Sequence, residues 1–328
     1  MSWLKELLRA AGEPVLFGPI DEAAGGAARG ELAVGACYVA ANLRVAHIEF
    51  GRRGTHRLSA VTSASARLDS TWPGGSARLG GLALEGTLAA LDPAHRGRVV
   101  SVGTSLFGPT PYRGGPLALE VGLFSRTDKD LAEPFLHFLG KLADVAAVPF
   151  VPAASTFLPL LDEGLALLQR AGGLELEAGA AIALERPVTG TYLVARARGR
   201  GVAEARLRAD GVFWASDDPV TEPHLVFDLV SSDRRDDFPA VPELAEAWSE
   251  LREAVRRERH DLVEQALARL RRTAVLSPDL LAADGDRLVT LAQDLAEKAL
   301  PGGLTSAAPA SGAPFPELAD LLLYPARP

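Results

Sequence analysis

Residues 57–69 read Arg57-Leu58-Ser59-Ala60-Val61-Thr62-Ser63-Ala64-Ser65-Ala66-Arg67-Leu68-Asp69. Leu58, Ala60, Thr62, Ala64, Ala66 and Leu68 alternate with Arg57, Ser59, Val61, Ser63, Ser65, Arg67 and Asp69. A period of two sends successive side chains to opposite faces of a strand. One face is small and apolar, the other polar, so this is a half-solvated antiparallel strand. Upstream, Tyr38 to Phe50 reads as its partner, with Val39, Ala41, Leu43 and Val45 on one face. The pattern slips at Ile48 and Phe50, which predicts a bulge near Ala46-His47. Gly51-Arg52-Arg53-Gly54 supplies the turn of the hairpin.

Downstream, strands are expected at 82–91, 98–106 and 116–125, the last alternating Leu117, Leu119, Val121 and Leu123. Gly- and Pro-rich turns join them, such as Gly108-Pro109-Thr110-Pro111. At Thr127 the period changes. Thr127-Asp128-Lys129-Asp130 offers a helix cap. Leu131, Phe135, Phe138, Leu139, Leu142 and Val145 follow at helical spacing. A second helix is expected from Thr156 to Arg170, closed by Gly172-Gly173. Strands resume at 174–184, 188–197, 203–209, 212–215 and 224–230, with Asp210-Gly211 as a hairpin turn. From Pro242 onward the reading is helical, in segments 242–258, 259–274 and 284–300.

The fold class is therefore α+β: a mainly antiparallel β-sandwich or bent sheet with an inserted helical pair and a C-terminal helical bundle. The domain plan has four parts. Residues 1–12 form an N-terminal amphipathic helix. Residues 32–238 form a β-rich domain with inserted helices at 127–172. Residues 240–300 form a helical domain, and 301–328 a Pro/Ala/Gly-rich mobile tail.

Composition narrows the function classes. The chain has 328 residues, 48% hydrophobic and 23% charged, the profile of a globular protein. Its formal net charge is −8. Residues 1–150 carry about +1 of this and the remainder about −9. Nucleic-acid binding draws its affinity from a basic surplus, so no nucleic-acid partner is expected. Cys37 is the only cysteine, which excludes an internal disulfide and thiolate zinc sites and favours a reducing, cytoplasmic setting. Charges interrupt the first ten residues, so they do not read as a signal peptide. The uncharged run Val145 to Leu161 holds Pro149, Pro152 and Pro159. Three prolines are poorly suited to a membrane span, so it reads as a buried helix end and loop.

Motifs that carry a mechanism are few. Gly140-Lys141 is followed by Leu142, not by the Ser or Thr of a phosphate loop. Gly103-Thr104-Ser105-Leu106-Phe107 matches only the first half of a nucleophile elbow. His260 and Glu264 lie one turn apart without the second histidine of a zinc motif. Asp217-Asp218 and the Asp233–Asp237 cluster offer oxygen ligands of the kind calcium takes, or simply helix caps and loop charges. No cofactor and no small-molecule substrate is identified.

The expected function is a non-enzymatic binding or scaffold protein, acting through protein–protein contacts in a bacterial cytoplasmic assembly. The alternatives are a lipid-associated or membrane-damaging protein and a hydrolase with an unrecognised site. Partner-binding candidates are Trp3 and Leu7 on the N-terminal helix, Arg52, Arg53 and Arg57 at the hairpin tip, and Leu321, Leu322 and Tyr324 in the tail. Another protein is the expected partner, with a membrane surface as a second option.

Overall fold

The computed structural model describes residues 15–20, 22–23, 27–47, 52–53, 56–68, 77–84, 104–127, 174–196, 205–207, 213–215, 218–220, 222–235, 237–300 and 315–321. Among the described residues the fold is mixed α+β, with largely antiparallel sheets and three α-helices. The strands, in chain order, begin with β1 (Val15–Ile20), β2 (Glu22–Ala23), β3 (Gly30–Glu31), β4 (Tyr38–His47) and β5 (Arg52–Arg53). Then come β6 (His56–Leu68), β7 (Ala77–Leu84), β8 (Thr104–Pro111), β9 (Leu117–Thr127) and β10 (Leu174–Leu184). The last are β11 (Val188–Arg196), β12 (Ala205–Leu207), β13 (Phe213–Ala215), β14 (Asp218–Pro219) and β15 (His224–Ser232). The helices are α1 (Pro242–Arg256), α2 (His260–Leu276) and α3 (Ala282–Ala299).

The chain divides into two compact units. The first comprises residues 1–34, 39–108 and 112–231, and the second comprises 35–38, 109–111 and 232–328.

In the first unit, β6 is the strand that the alternation of residues 57–69 predicts. It pairs antiparallel with β5, β7 and β9, and β9 pairs with β10. The register sets Thr62, Ala64, Ala66 and Leu68 opposite Leu123, Val121, Leu119 and Leu117. Those four partners are fully buried. Directly opposed residues share a face, so the register sets the small apolar positions of β6 in line with this row. Ala178 and Ala180 of β10 continue the same row.

A second sheet runs β1-β11-β15-β4-β8, with β3 also pairing β11. Among the described residues β4 is therefore not the partner of β6 that the sequence suggests. Instead β6 turns back on β5, because the two long strands take their neighbours in different sheets. Val39, Ala41, Leu43 and Val45 are its buried face on β4, as the alternation predicts. Residues 48–50, where that pattern slips, lie outside the described residues. Aromatic rings from adjacent strands stack on the sheet. Phe17 and Tyr192 lie 5.6 Å apart and Tyr192 and Phe227 5.7 Å apart, centroid to centroid. A third, small sheet orders β14-β13-β12-β2. It contains one parallel pair, β12 with β2, in an otherwise antiparallel pattern.

Gly108-Pro109-Thr110-Pro111 is strand, not turn, because β8 runs on through Pro111. As the end strand of its sheet, β8 tolerates prolines that donate no hydrogen bond. Gly108 has φ +85°, and a Cβ there would fall 2.4 Å from the Val39 carbonyl oxygen. Close backbone approach, not a reversal of direction, is what requires this glycine. Gly108→Ala is expected to destabilise the protein by about 1–3 kcal/mol, read as a lower urea midpoint.

The helices of the second unit follow their apolar stripes closely. Pro242 occupies the first turn of α1 and Glu243 favours its positive dipole end. The helix stops where Glu258 turns left-handed, at φ 53°. Leu244, Trp248 and Leu251 of α1, Val263 and Leu270 of α2, and Leu288 and Ala292 of α3 share one apolar core. At Gly285 a Cβ would lie 3.2 Å from the Ala274 carbonyl oxygen, so glycine lets α3 approach α2 closely. The expected N-terminal helix 1–12 and the inserted helices lie outside the described residues, apart from Thr127 itself, which ends β9.

Candidate functional site

In the second unit a surface groove of about 670 Å³ lies between α1 and α2. Ala254, Leu262 and Ala266 line it with apolar surface, and Ser249 and Gln265 add neutral polar groups. Glu246, Glu250, Glu253, Arg257 and Arg269 supply its charges. Arg269 bridges the helices, with a nitrogen 3.2 Å from Glu246 and a hydrogen bond donated to Glu250. Glu253 accepts from Arg256 at 2.7 Å and from Arg257 at 2.8 Å. Those two bonds, Arg256 first, hold its carboxyl below the usual carboxylate range. The spacing of three and four residues along α1 makes these intrahelical pairs. Exposed pairs of this type contribute little to stability. They are therefore readily exchanged for the charges of an incoming partner.

Away from the groove, several buried polar groups of the unit are paired. Arg235 is 3% exposed and Asp237 8%. Their Nε and Oδ1 atoms lie 2.8 Å apart, and Nη2 donates to Oδ2 at 3.1 Å. Nη1 donates to the carbonyls of Pro109 at 3.1 Å and Asp279 at 2.9 Å. Tyr38 donates its hydroxyl hydrogen to Asp284 at 2.6 Å and accepts from the Leu281 N–H at 3.0 Å. Burial, followed by the Asp284 bond, raises the phenol above its ordinary pKa. Arg287 donates to the other Asp284 oxygen at 3.1 Å. These bonds tie residues 35–38 and 109–111 to the start of α3, which is a structural role.

In the first unit the opposed pair Thr191 and Asp228 is hydrogen-bonded at 2.6 Å. Arg44 reaches Asp228 at 3.7 Å, and the Ala27 N–H donates to Thr191 at 3.2 Å. His224 is 2% exposed and stacks on His47, with centroids 4.9 Å apart. Its Nδ1 lies 2.8 Å from the Glu222 carbonyl oxygen. A carbonyl only accepts, so the ring proton sits on Nδ1. Burial, then the neighbouring His47, push the His224 pKa down to about 3. The unfolded chain takes up this proton near pH 6.5, whereas the folded chain does not until the pH is much lower. The resulting stability is complete above pH 6.5 and is lost as the pH falls towards 3. Between pH 7.5 and 5 this group should remove about 2 kcal/mol. Urea midpoints at the two pH values should differ less in His224→Gln than in the wild type. Equal differences would assign the acid sensitivity to other groups.

The candidate residues read from the sequence meet different placements. Trp3, Leu7, Leu322 and Tyr324 lie outside the described residues. The register of β5 with β6 sets Arg52 opposite Arg57 and Arg53 opposite His56. Like charges directly opposed are unfavourable in a hairpin unless an anion or carboxylate is near. Leu321 is half-buried and packs against the core of the helices. Asp233 and Asp237 of the acidic cluster are separately engaged, by Arg234 at 4.0 Å and by Arg235. Among the described residues no group of three or more His, Cys, Asp and Glu side chains is placed to hold a metal ion. Also among them, no helix is long and apolar enough to cross a membrane.

The groove itself was not legible. Its Arg269 pairs with Glu250, 19 positions away, and only the packing of α2 on α1 brings them together. The sequence signal was the dense interleaving of Glu and Arg along both helices, which reads equally well as a solvated face. Comparison of the chain with protein-family models, curated proteins and solved structures finds no match.

Proposed function

We propose that the chain is a non-enzymatic binding or scaffold protein that works through protein–protein contacts in a bacterial cytoplasmic assembly. The observation that carries this reading is the α1–α2 groove, an apolar strip rimmed by exposed, exchangeable ion pairs. Interfaces of this kind combine an apolar centre with a polar rim. The three helices, sharing one core, support a C-terminal helical bundle as its platform. The two larger sheets support a sandwich or bent-sheet body. At the hairpin tip, the Arg52–Arg57 opposition supports a second contact, with an acidic protein surface.

The test is site-specific cross-linking in the native host. A photoreactive residue at Ser249 or Gln265 should give one discrete, near-stoichiometric adduct. The same residue at exposed Gln293 on α3 should not. Reversing Glu246, Glu250 and Arg269 together should keep both pairs yet shift the salt dependence of the adduct. Equal labelling from all three positions would reject the groove as an interface. In that case vesicle binding and a hydrolase substrate screen become the readings to pursue.

A further inference from the structure

Residues 315–321, Phe315-Pro316-Glu317-Leu318-Ala319-Asp320-Leu321, lie along α1 and end in a short 3-10 turn at Leu318–Asp320. Their contacts follow the logic of proline-peptide recognition. The Phe315 ring packs on the Trp248 indole at 5.4 Å. The Trp248 Nε1 donates to the Pro316 carbonyl at 3.1 Å. Glu317, at φ −70° and ψ 154°, is in the polyproline II conformation. It pairs with Arg252, one turn along α1 from Trp248. Leu318 then enters the shared core, with 7% of its surface exposed.

An aromatic platform and an indole N–H aimed at a backbone carbonyl are recurring means of holding a peptide segment, and here they hold Phe315 and Pro316 ahead of the turn. We infer that the Trp248 face of α1 is a peptide-binding site for extended segments of the pattern aromatic–Pro–acidic–Leu. Residues 315–321 fill it as an intramolecular ligand. A partner segment of the same chemistry binds there by displacing them. This rests on the reading of the helical unit as an interaction module and names its ligand and its regulation.

The arithmetic favours exchange. One buried leucine, two half-buried apolar side chains, one N–H bond and one exposed ion pair make a modest contact. The segment is covalently part of the chain, which holds the local ligand concentration at the order of mM. If the free peptide binds with a Kd of about 100 µM, the tether weakens binding of an outside peptide by about tenfold.

The probe is a fluorescein-labelled peptide of residues 312–323, titrated against the full-length chain and followed by anisotropy. The Phe315→Ser/Leu318→Ser chain should bind it at least tenfold more tightly than the unaltered chain. In that background Trp248→Phe keeps a ring, loses the N–H donor and should weaken binding several-fold. Arg252→Glu should also weaken it, and a peptide carrying Glu317→Arg should restore it. Equal, negligible binding to the unaltered and doubly substituted chains, with helicity retained, would overturn the inference. Hydrogen exchange on the unaltered chain gives a test that needs no variant. Amides of 318–321 should exchange at least tenfold faster than those of Leu251 and Leu270, and matching protection would overturn the proposal. If the peptide fails but groove cross-linking succeeds, this inference alone falls. If both fail, the interaction reading falls with it.

Discussion

An Arg235→Ala chain is expected to lose about 3–5 kcal/mol of stability. The guanidinium is buried and engages both oxygens of Asp237 and two backbone carbonyls. Its removal takes the arginine away from a carboxylate that is itself 8% exposed. The carbonyls of Pro109 and Asp279 lose this donor as well. Most of the loss comes from weakening the compensation of a buried charge, not from the intrinsic worth of the pair. The double replacement Arg235→Met/Asp237→Leu should therefore recover much of it. Urea unfolding of the three chains decides the matter. A single substitution that cost under about 1 kcal/mol would mean that water reaches Asp237 once the arginine is gone.

Phe227→Ala should cost a similar 3–5 kcal/mol in the first unit, by a different mechanism. Phe227 is fully buried on β15 and stacks on Tyr192, which stacks in turn on Phe17 of β1. The substitution removes apolar transfer energy, opens a cavity in a sheet face and ends the ring row. Phe227→Leu refills most of that volume and should recover more than half of the loss. Both variants should lower the urea midpoint with an unchanged denaturant slope. A changed slope would indicate an altered denatured or native state and would remove the cavity explanation.

These two predictions also mark where the sequence stops being readable. The alternation that identifies β6 and the stripe that identifies α1 are properties of a few consecutive residues, so they survive without knowledge of the fold. The three helices appear within about two residues of their expected bounds. Gly108-Pro109 misled because glycine and proline punctuate turns and edge strands alike. Only the position of β8 at the sheet end separates the two. The 301–328 segment is a related case. Its apolar residues, Leu321 among them, are visible in the sequence, but that Phe315, Leu318 and Leu321 meet the core of the helices is not.

By itself the sequence determined where the chain alternates in twos, where it repeats every three to four residues, and which side of each element is apolar. Side-chain periodicity is a local consequence of backbone geometry. Only the tertiary structure decided what those faces meet. Tyr38 and Asp284 are 246 positions apart, and Arg235 and the Pro109 carbonyl 126. Arg269 meets Glu250 across two helices, and Trp248 meets Pro316 across 68 positions. A hydrogen bond or ion pair depends on distances of a few ångströms, which pattern within one segment does not encode. Strand order, the buried polar groups, the groove and the occupied Trp248 face all depend on such meetings, and so does any function built on them.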